Sequence, residues 1–357
     1  MSAIIDDIDI IQFPRVDGIS GKVIDVGHHN GTTLSEIITG MGADSTTVSI
    51  NVHNCAKLKI LDGLDEFPQL KVLMLIDCNL LSDITPISQL KNLEALSVSG
   101  SMITDLDALD GIATLRIVDA SGCSELRDLW GLRNAGSLEF LAVAGSQIAS
   151  IAPLAACKRL QQLDISSTLV GDLSPLTGNT ILECIDANDT PSCECDALIT
   201  CTGIKRLALN NIRRITPICG LPLLQELYCT NSLFDETNGN MLSTCPELMT
   251  AYILDSKGDV MNLPFLDNDS DTEHADDDEN NDKEEEKQNA IDIQLAKLLD
   301  DDDYSNYGIK VSVPTARDSE EESKESNNNT NKQVVQNAIE EESKDSSHED
   351  LVVKKAD

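Results

Sequence analysis

A chain of 357 residues with 62 acidic against 26 basic side chains carries a formal net charge of −36, a field that repels nucleic acid and anionic membrane and steers basic proteins inward. Hydrophobic residues make up 41% of it and aromatic ones only 3%, so any core must be built from Leu, Ile, Val and Cys rather than from rings. No stretch approaches the about 18 apolar residues of a membrane span, and the first residues lack the basic start and apolar run of a signal peptide. The 11 Cys all fall between Cys55 and Cys245. An odd set without an export signal favours reduced thiols, and the expected compartment is the cytoplasm or nucleus, not the exterior.

Residues 1–20 are an apolar-acidic lead-in or cap, broken at Phe13-Pro14. A pattern then recurs. Leu70, Leu93, Leu115, Leu138, Leu160, Leu182 and Ile204 open successive units spaced 23, 22, 23, 22, 22 and 22 residues apart, and Leu224 and Leu248 continue it less regularly. Two degenerate units fit upstream, with strands Ile24-Asp-Val26 and Val48-Ser-Ile50, giving about ten units over 21–265. Within each unit a pair such as Leu73/Leu75, Leu96/Val98 or Leu163/Ile165 alternates with outward residues, the period of a strand with one face buried. The return segments carry Pro86, Pro153, Pro175 and Pro217, which stop the sheet and favour a short 3₁₀ turn or loop.

The most regular unit, Leu160-Gln-Gln-Leu163-Asp-Ile165-Ser-Ser-Thr168, matches L-x-x-L-x-L-x-x-(N/C/T), and the array resembles the leucine-rich repeats. One such unit cannot bury its own leucines, so neighbours must stack on both sides of it. The expected fold is an α/β solenoid: a leucine-rich repeat horseshoe with a concave parallel sheet and convex returns of 3₁₀ turn or loop, followed by a disordered acidic tail. The offset that holds Asn in such repeats is filled by Cys78, Ser101, Cys123, Ser146, Thr168, Thr190 and Ser232, with His29 and His53 placed there upstream. A hydroxyl or thiol there bridges backbone groups of adjacent units less fully than an amide does. Ile212 breaks this ladder, which suggests a slip of register toward Asn210 or Asn211.

The outward strand positions carry the functional signal. One row alternates charge: Lys71, Glu94, Arg116, Glu139, Gln161, Glu183, Lys205. Cross-strand pairing accounts for it, at well under ~1 kcal/mol per pair. Beside it, Val72, Met74, Ile76, Ile117 and Phe140 are expected as exposed apolar anchors on the N-terminal half of the concave sheet. Asp119, Asp164 and Asp186 draw an acidic line through its middle, with Gln162 and Tyr228 on the same rows. An apolar anchor flanked by carboxylates suits a basic or amphipathic protein partner. No Gly-rich phosphate loop, G-x-S-x-G elbow or H-E-x-x-H motif occurs, so a monomeric, non-enzymatic binding protein without a cofactor is expected. His28, His29, His53 and Cys55, and the group Cys184, Cys193, Cys195, Cys201, match no zinc spacing, and no metal is assigned.

Beyond 265 the composition changes: residues 266–357 hold 29 acidic and 10 basic residues, too polar to offset their chain entropy by burial. A short helix is expected within 284–300, where Ile291, Leu295, Leu298 and Leu299 share a face. Ser270, Ser319, Ser346 and Ser347 precede acids and read as phosphorylation sites. The 22-residue spacing and the Asp172-Leu-Ser-Pro-Leu176 return segment resemble the short-repeat leucine-rich family that includes the leucine-rich regulators of protein phosphatase 1. The likeness spans about residues 45–255 and implies partner binding on the concave face, at Met74, Asp119, Phe140, Asp164 and Asp186. The acidic tail is similar to that of the acidic leucine-rich nuclear phosphoproteins, which implies the alternative of a chaperone-like protein holding basic clients such as histones.

Overall fold

The computed structural model describes residues 21–191, 195–233 and 236–266, all within the unit Met1–Asp271. The lead-in, the acidic tail, its expected helix and the four candidate phosphoserines lie outside the described residues.

Eleven strands form one parallel sheet in sequence order: β1 Lys22–Gly27, β2 Thr47–His53, β3 Val72–Ile76, β4 Ala95–Ser97, β5 Ile117–Asp119, β6 Phe140–Ala142, β7 Gln162–Asp164, β8 Cys184–Ala187, β9 Arg206–Asn210, β10 Glu226–Ser232 and β11 Thr250–Asp255. Registration stacks Ile24, Ile50, Leu73, Leu96, Val118, Leu141, Leu163, Ile185, Leu207 and Leu227 in one inward row. All are buried, and with the leucines of the return segments they make a single aliphatic core running along the array. Each layer contributes a few methyl-rich side chains and is closed by the next, so stability grows from neighbour contacts rather than from one centre.

In the first upstream unit Ile24 and Val26 face inward as expected, whereas the second differs from the sequence expectation by two residues. Ile50 and Val52 face inward opposite Leu73 and Leu75, which puts Cys55 rather than His53 at the ladder offset. Val48 is also buried, so three alternate apolar positions in β2 competed for the assignment, and only pairing resolves it. Ile212, by contrast, needs no register slip. It is buried in the core, and Asn211 Nδ2 donates to the Thr190 carbonyl at 3.1 Å, so the bridging amide has moved one residue upstream.

The return segments over 85–200 contain 3₁₀ turns at Thr85–Gln89, Asp107–Leu109, Trp130–Leu132, Ala152–Ala156, Ser174–Leu176 and Asp196–Thr200. Pro86, Pro153 and Pro175 open three of these, where a missing N–H costs nothing. Pro217 lies in a simple turn. A side chain two residues ahead caps the first N–H of the turn: Asp83 for Thr85 at 2.9 Å, Asp105 for Asp107 at 3.1 Å, Ser150 for Ala152 at 3.2 Å and Asp172 for Ser174 at 2.7 Å. The first unit instead holds a short helix, α1 Leu34–Ile38, with a Thr33–Glu36 capping box. A second short helix, α2, spans Glu236–Gly239.

One backbone feature recurs in every unit from β1 to β10. Two residues past the last inward strand residue, the chain takes a left-handed conformation at His28, Asn54, Asp77, Gly100, Gly122, Gly145, Ser167, Asp189, Asn211 and Asn231. Gly, Asn and Asp tolerate this region and most residues do not, so the column of types was readable before the structure. At Gly100 the absence of a side chain also leaves room for the Asp77 carboxylate, which an added Cβ would meet at 2.7 Å.

Candidate partner-binding face

The sheet presents its inward row to the core and its alternate residues to an open face, whose rows follow from registration. The first reads Val72, Ala95, Ile117, Phe140, Gln162, Cys184, Arg206, Glu226, and the second Met74, Ser97, Asp119, Ala142, Asp164, Asp186, Ala208, Tyr228.

The apolar residues on these rows are not the exposed anchors that the alternation suggested. Val72 is 4% exposed, Ile117 6% and Phe140 3%, and with Ala95, Ala142, Cys184 and Ala208 they form a second apolar cluster on the outer side of the sheet. Strands about 4.8 Å apart hold side chains of one row at van der Waals contact, so a row of branched and aromatic residues covers itself. Met74 and Tyr228 pack against the cluster half-buried, and Ile76 is likewise half-buried. Burial beside Glu226 pushes the Tyr228 phenol above its usual range, and its hydroxyl lies 3.4 Å from a Glu226 carboxylate oxygen.

The carboxylates beside this floor are held in place by the chain itself. Asp119 accepts from the Ser97 hydroxyl at 2.7 Å and the Ser121 N–H at 3.0 Å. Asp164 accepts from the Ser166 N–H and hydroxyl at 2.9 and 2.7 Å, and Asp186 from the Asn188 N–H at 3.0 Å. Each Asp thus caps the N–H two residues on, where regular strand pairing ends. Asp119 and Asp164 are half-buried, Asp186 is buried, and Gln162 lies half-buried between Phe140 and Cys184. Desolvation and the nearby Asp119 raise the carboxyl pKa of Asp77.

The alternating charge row pairs as expected. Lys71 meets Glu94 at 2.7 Å, Arg116 meets Glu139 at 2.7 Å and Lys205 meets Glu183 at 3.0 Å. Beside it lies a cleft of about 360 Å³ lined by Glu94, Thr114, Arg116, Ser137, Glu139 and Arg159, which the sequence reading missed because Thr114, Ser137 and Arg159 lie outside the outward rows. That reading also passed over the only tryptophan. Trp130 is 55% exposed on the return wall, with the Arg133 guanidinium 5.3 Å from its ring and 2.5 Å from Asp110.

The thiols and imidazoles separate. Burial raises the pKa of Cys78 to about 12 and of Cys157 and Cys184 to about 11, so these side chains stay thiols. Cys123, Cys201 and Cys245 donate to carbonyls of the preceding unit at 3.2, 3.3 and 3.4 Å, a structural use of sulfur. His53 lies 3.6 Å from Asp25 and edge-on to His28. Among the described residues no group of three His, Cys, Asp or Glu side chains is placed to hold a metal ion, and Cys193 lies outside them. No described helix is long and apolar enough to cross a membrane.

No family model matches the sequence, and neither does any curated protein. Solved structures do. An internalin from Listeria monocytogenes aligns at 21% identity and a TM-score of 0.51, covering 65% of this chain and 82% of its own. Internalin C2 of the same organism aligns at 25% identity and 0.45, over 47% and 74%, and a leucine-rich repeat protein of Leptospira interrogans at 15% and 0.44, over 66% and 72%. The first likeness, with the eleven-stranded parallel sheet and its 3₁₀ returns, makes the fold a leucine-rich repeat solenoid.

Proposed function

We propose that the array is a non-enzymatic protein-interaction scaffold or regulatory subunit that takes its partner on the open face of the sheet. One observation supports this above the others. Val72, Ala95, Ile117 and Phe140 form a closed apolar floor, and in register beside it run Met74, Ser97, Asp119 and Ala142, then Asp164. A floor already packed in the free protein has little to reorganise on binding. Ser97, Ser99, Ala142 and Ala144 are small enough for a partner backbone to approach, and the carboxylates favour a basic or amphipathic surface.

The resemblance of the return segments to the phosphatase regulators makes a phosphatase catalytic subunit the first partner to test. The full chain and an Asp119→Lys/Asp164→Lys variant are compared for binding to that subunit and for proteins retained from native extract. The expected result is a partner held by the native chain and lost, by about tenfold or more in affinity, from the variant. Far-UV dichroism should be unchanged. Equal retention by both chains would move the site to the return wall or to the residues beyond 266.

A further inference from the structure

The first residue of each 3₁₀ turn on the return wall lends the turn little more than its backbone. Across six units it is Thr85, Asp107, Trp130, Ala152, Ser174 and Asp196. Five are small or polar, and the sixth is the only tryptophan of the chain, 55% exposed and outside the aliphatic core. Neither the turn nor the core calls for it. The ring is nevertheless held in place. Asp128 accepts the Trp130 N–H, and the Arg133 guanidinium lies over one face of the indole, donates to the Trp130 carbonyl at 3.0 Å and is itself paired with Asp110. Gly131 brings this turn hard against the preceding unit, where an added Cβ would lie 1.8 Å from the Leu106 carbonyl oxygen, so the turns of Asp107 and Trp130 are stacked neighbours. Their surroundings are acidic. Asp105, Asp107 and Asp128 on these two turns are exposed, and none forms an ion pair among the described residues. The nearby cations, Arg127 and Arg133, are already matched by Glu125 and Asp110.

We infer that Trp130 and these carboxylates form a second binding surface, on the return wall, for a basic peptide segment whose cationic side chain stacks on the indole. A cation is drawn to the negative face of an aromatic ring, and tryptophan attracts it most strongly. The Arg133 contact is that interaction made within the chain. An exposed aromatic side chain that is ordered before binding has less rotamer freedom to lose, which is the character of an interface anchor. The carboxylates here stand in water, so they steer a basic segment by charge, while the ring makes the contact that selects it. The next turn offers Ala152 and Pro153, small and uncharged, to the aliphatic stem of the incoming side chain. This surface lies on the return segments and not on the sheet, and it does not rest on the reading of the open face.

Because the chain holds one tryptophan, its intrinsic tryptophan emission reports this ring alone. The full chain is titrated at physiological ionic strength with acetyl-Gly-Arg-Gly-Arg-Gly-amide and with its citrulline counterpart, which keeps the shape without the charge. The arginine peptide is expected to give a saturable change in emission and to protect the ring from acrylamide, with about fivefold higher affinity than the citrulline one. Asp107→Asn with Asp128→Asn keeps an acceptor for the Trp130 N–H and should weaken the arginine response about threefold. If the double variant melts lower than the native chain, Asp107→Asn alone leaves the Asp128 cap untouched and should still weaken the response measurably. Asp119→Lys with Asp164→Lys, on the open face, should leave it unchanged. Equal responses to the two peptides, a change that grows without saturating, or a response insensitive to Asp107 and Asp128 would overturn the assignment. Loss of the response in the open-face variant would overturn it as well, by placing the peptide on the sheet.

Discussion

Aspartate recurs at repeat spacing on both sides of the array, and the two sets share a local job while living in different surroundings. On the return wall Asp83, Asp105 and Asp172 are exposed, and each caps the N–H two residues on as a 3₁₀ turn begins. On the open face Asp119, Asp164 and Asp186 cap in the same way but sit half-buried or buried beside an apolar floor. Water competes freely for the first set and less for the second, least of all at the buried Asp186. Capping therefore fixes position in both places, and only on the sheet does a fixed carboxylate meet the low-dielectric setting in which it discriminates between ligands.

The comparison is broken most sharply through the floor. Phe140→Ala removes a ring that is 3% exposed and should destabilise the array by about 3 kcal/mol, seen as a lower midpoint in thermal or urea unfolding. Leu169→Ala, an exposed apolar position past β7, should cost less than about 0.5 kcal/mol. Equal costs would mean that the floor is ordinary surface, and the carboxylates beside it would lose their distinct setting. On the return wall, Asp172→Ala deletes the cap of the Ser174 N–H and should cost about 1 kcal/mol, with Asp172→Asn recovering most of it. A loss confined to the Ala variant separates capping from charge.

The recurrence of the aliphatic positions made the solenoid, its parallel order and its proline turns readable, because each unit repeats one solution and errors average out. The rest depended on neighbours. Val72, Ile117 and Phe140 occupy outward positions, and alternation alone cannot tell an outward residue in water from one covered by the next strand's side chain. In β2, Val48, Ile50 and Val52 are all buried, so only pairing to β3 shows which two define the repeat. The left-handed column was visible as Asn54, Asp77, Gly100, Gly122 and Gly145 and went unread, since its meaning is conformational rather than hydrophobic. Ser167 is its least suited member at φ 51°. Ser167→Gly should raise stability by about 0.5 kcal/mol, relief of backbone strain being offset in part by the added chain entropy of glycine.

The smallest expected effect is also the one that tests the dielectric argument most directly. Asp77 stands at the left-handed position after β3, and burial together with the nearby Asp119 raises its carboxyl pKa. A group that holds its proton more tightly folded than unfolded contributes stability below its unfolded pKa and loses that contribution as pH rises through the folded one. At neutral pH the ionised Asp77 is therefore a small liability. Asp77→Asn keeps a residue type suited to φ 54° and removes the charge, so it should melt slightly higher than the native chain at pH 7. The difference should shrink as pH falls through the carboxylate range, because the native side chain then becomes neutral as well. A difference that stays constant with pH would trace to packing at Gly100, against which the Asp77 carboxylate lies, and would leave the charge of Asp119 without effect on its neighbour.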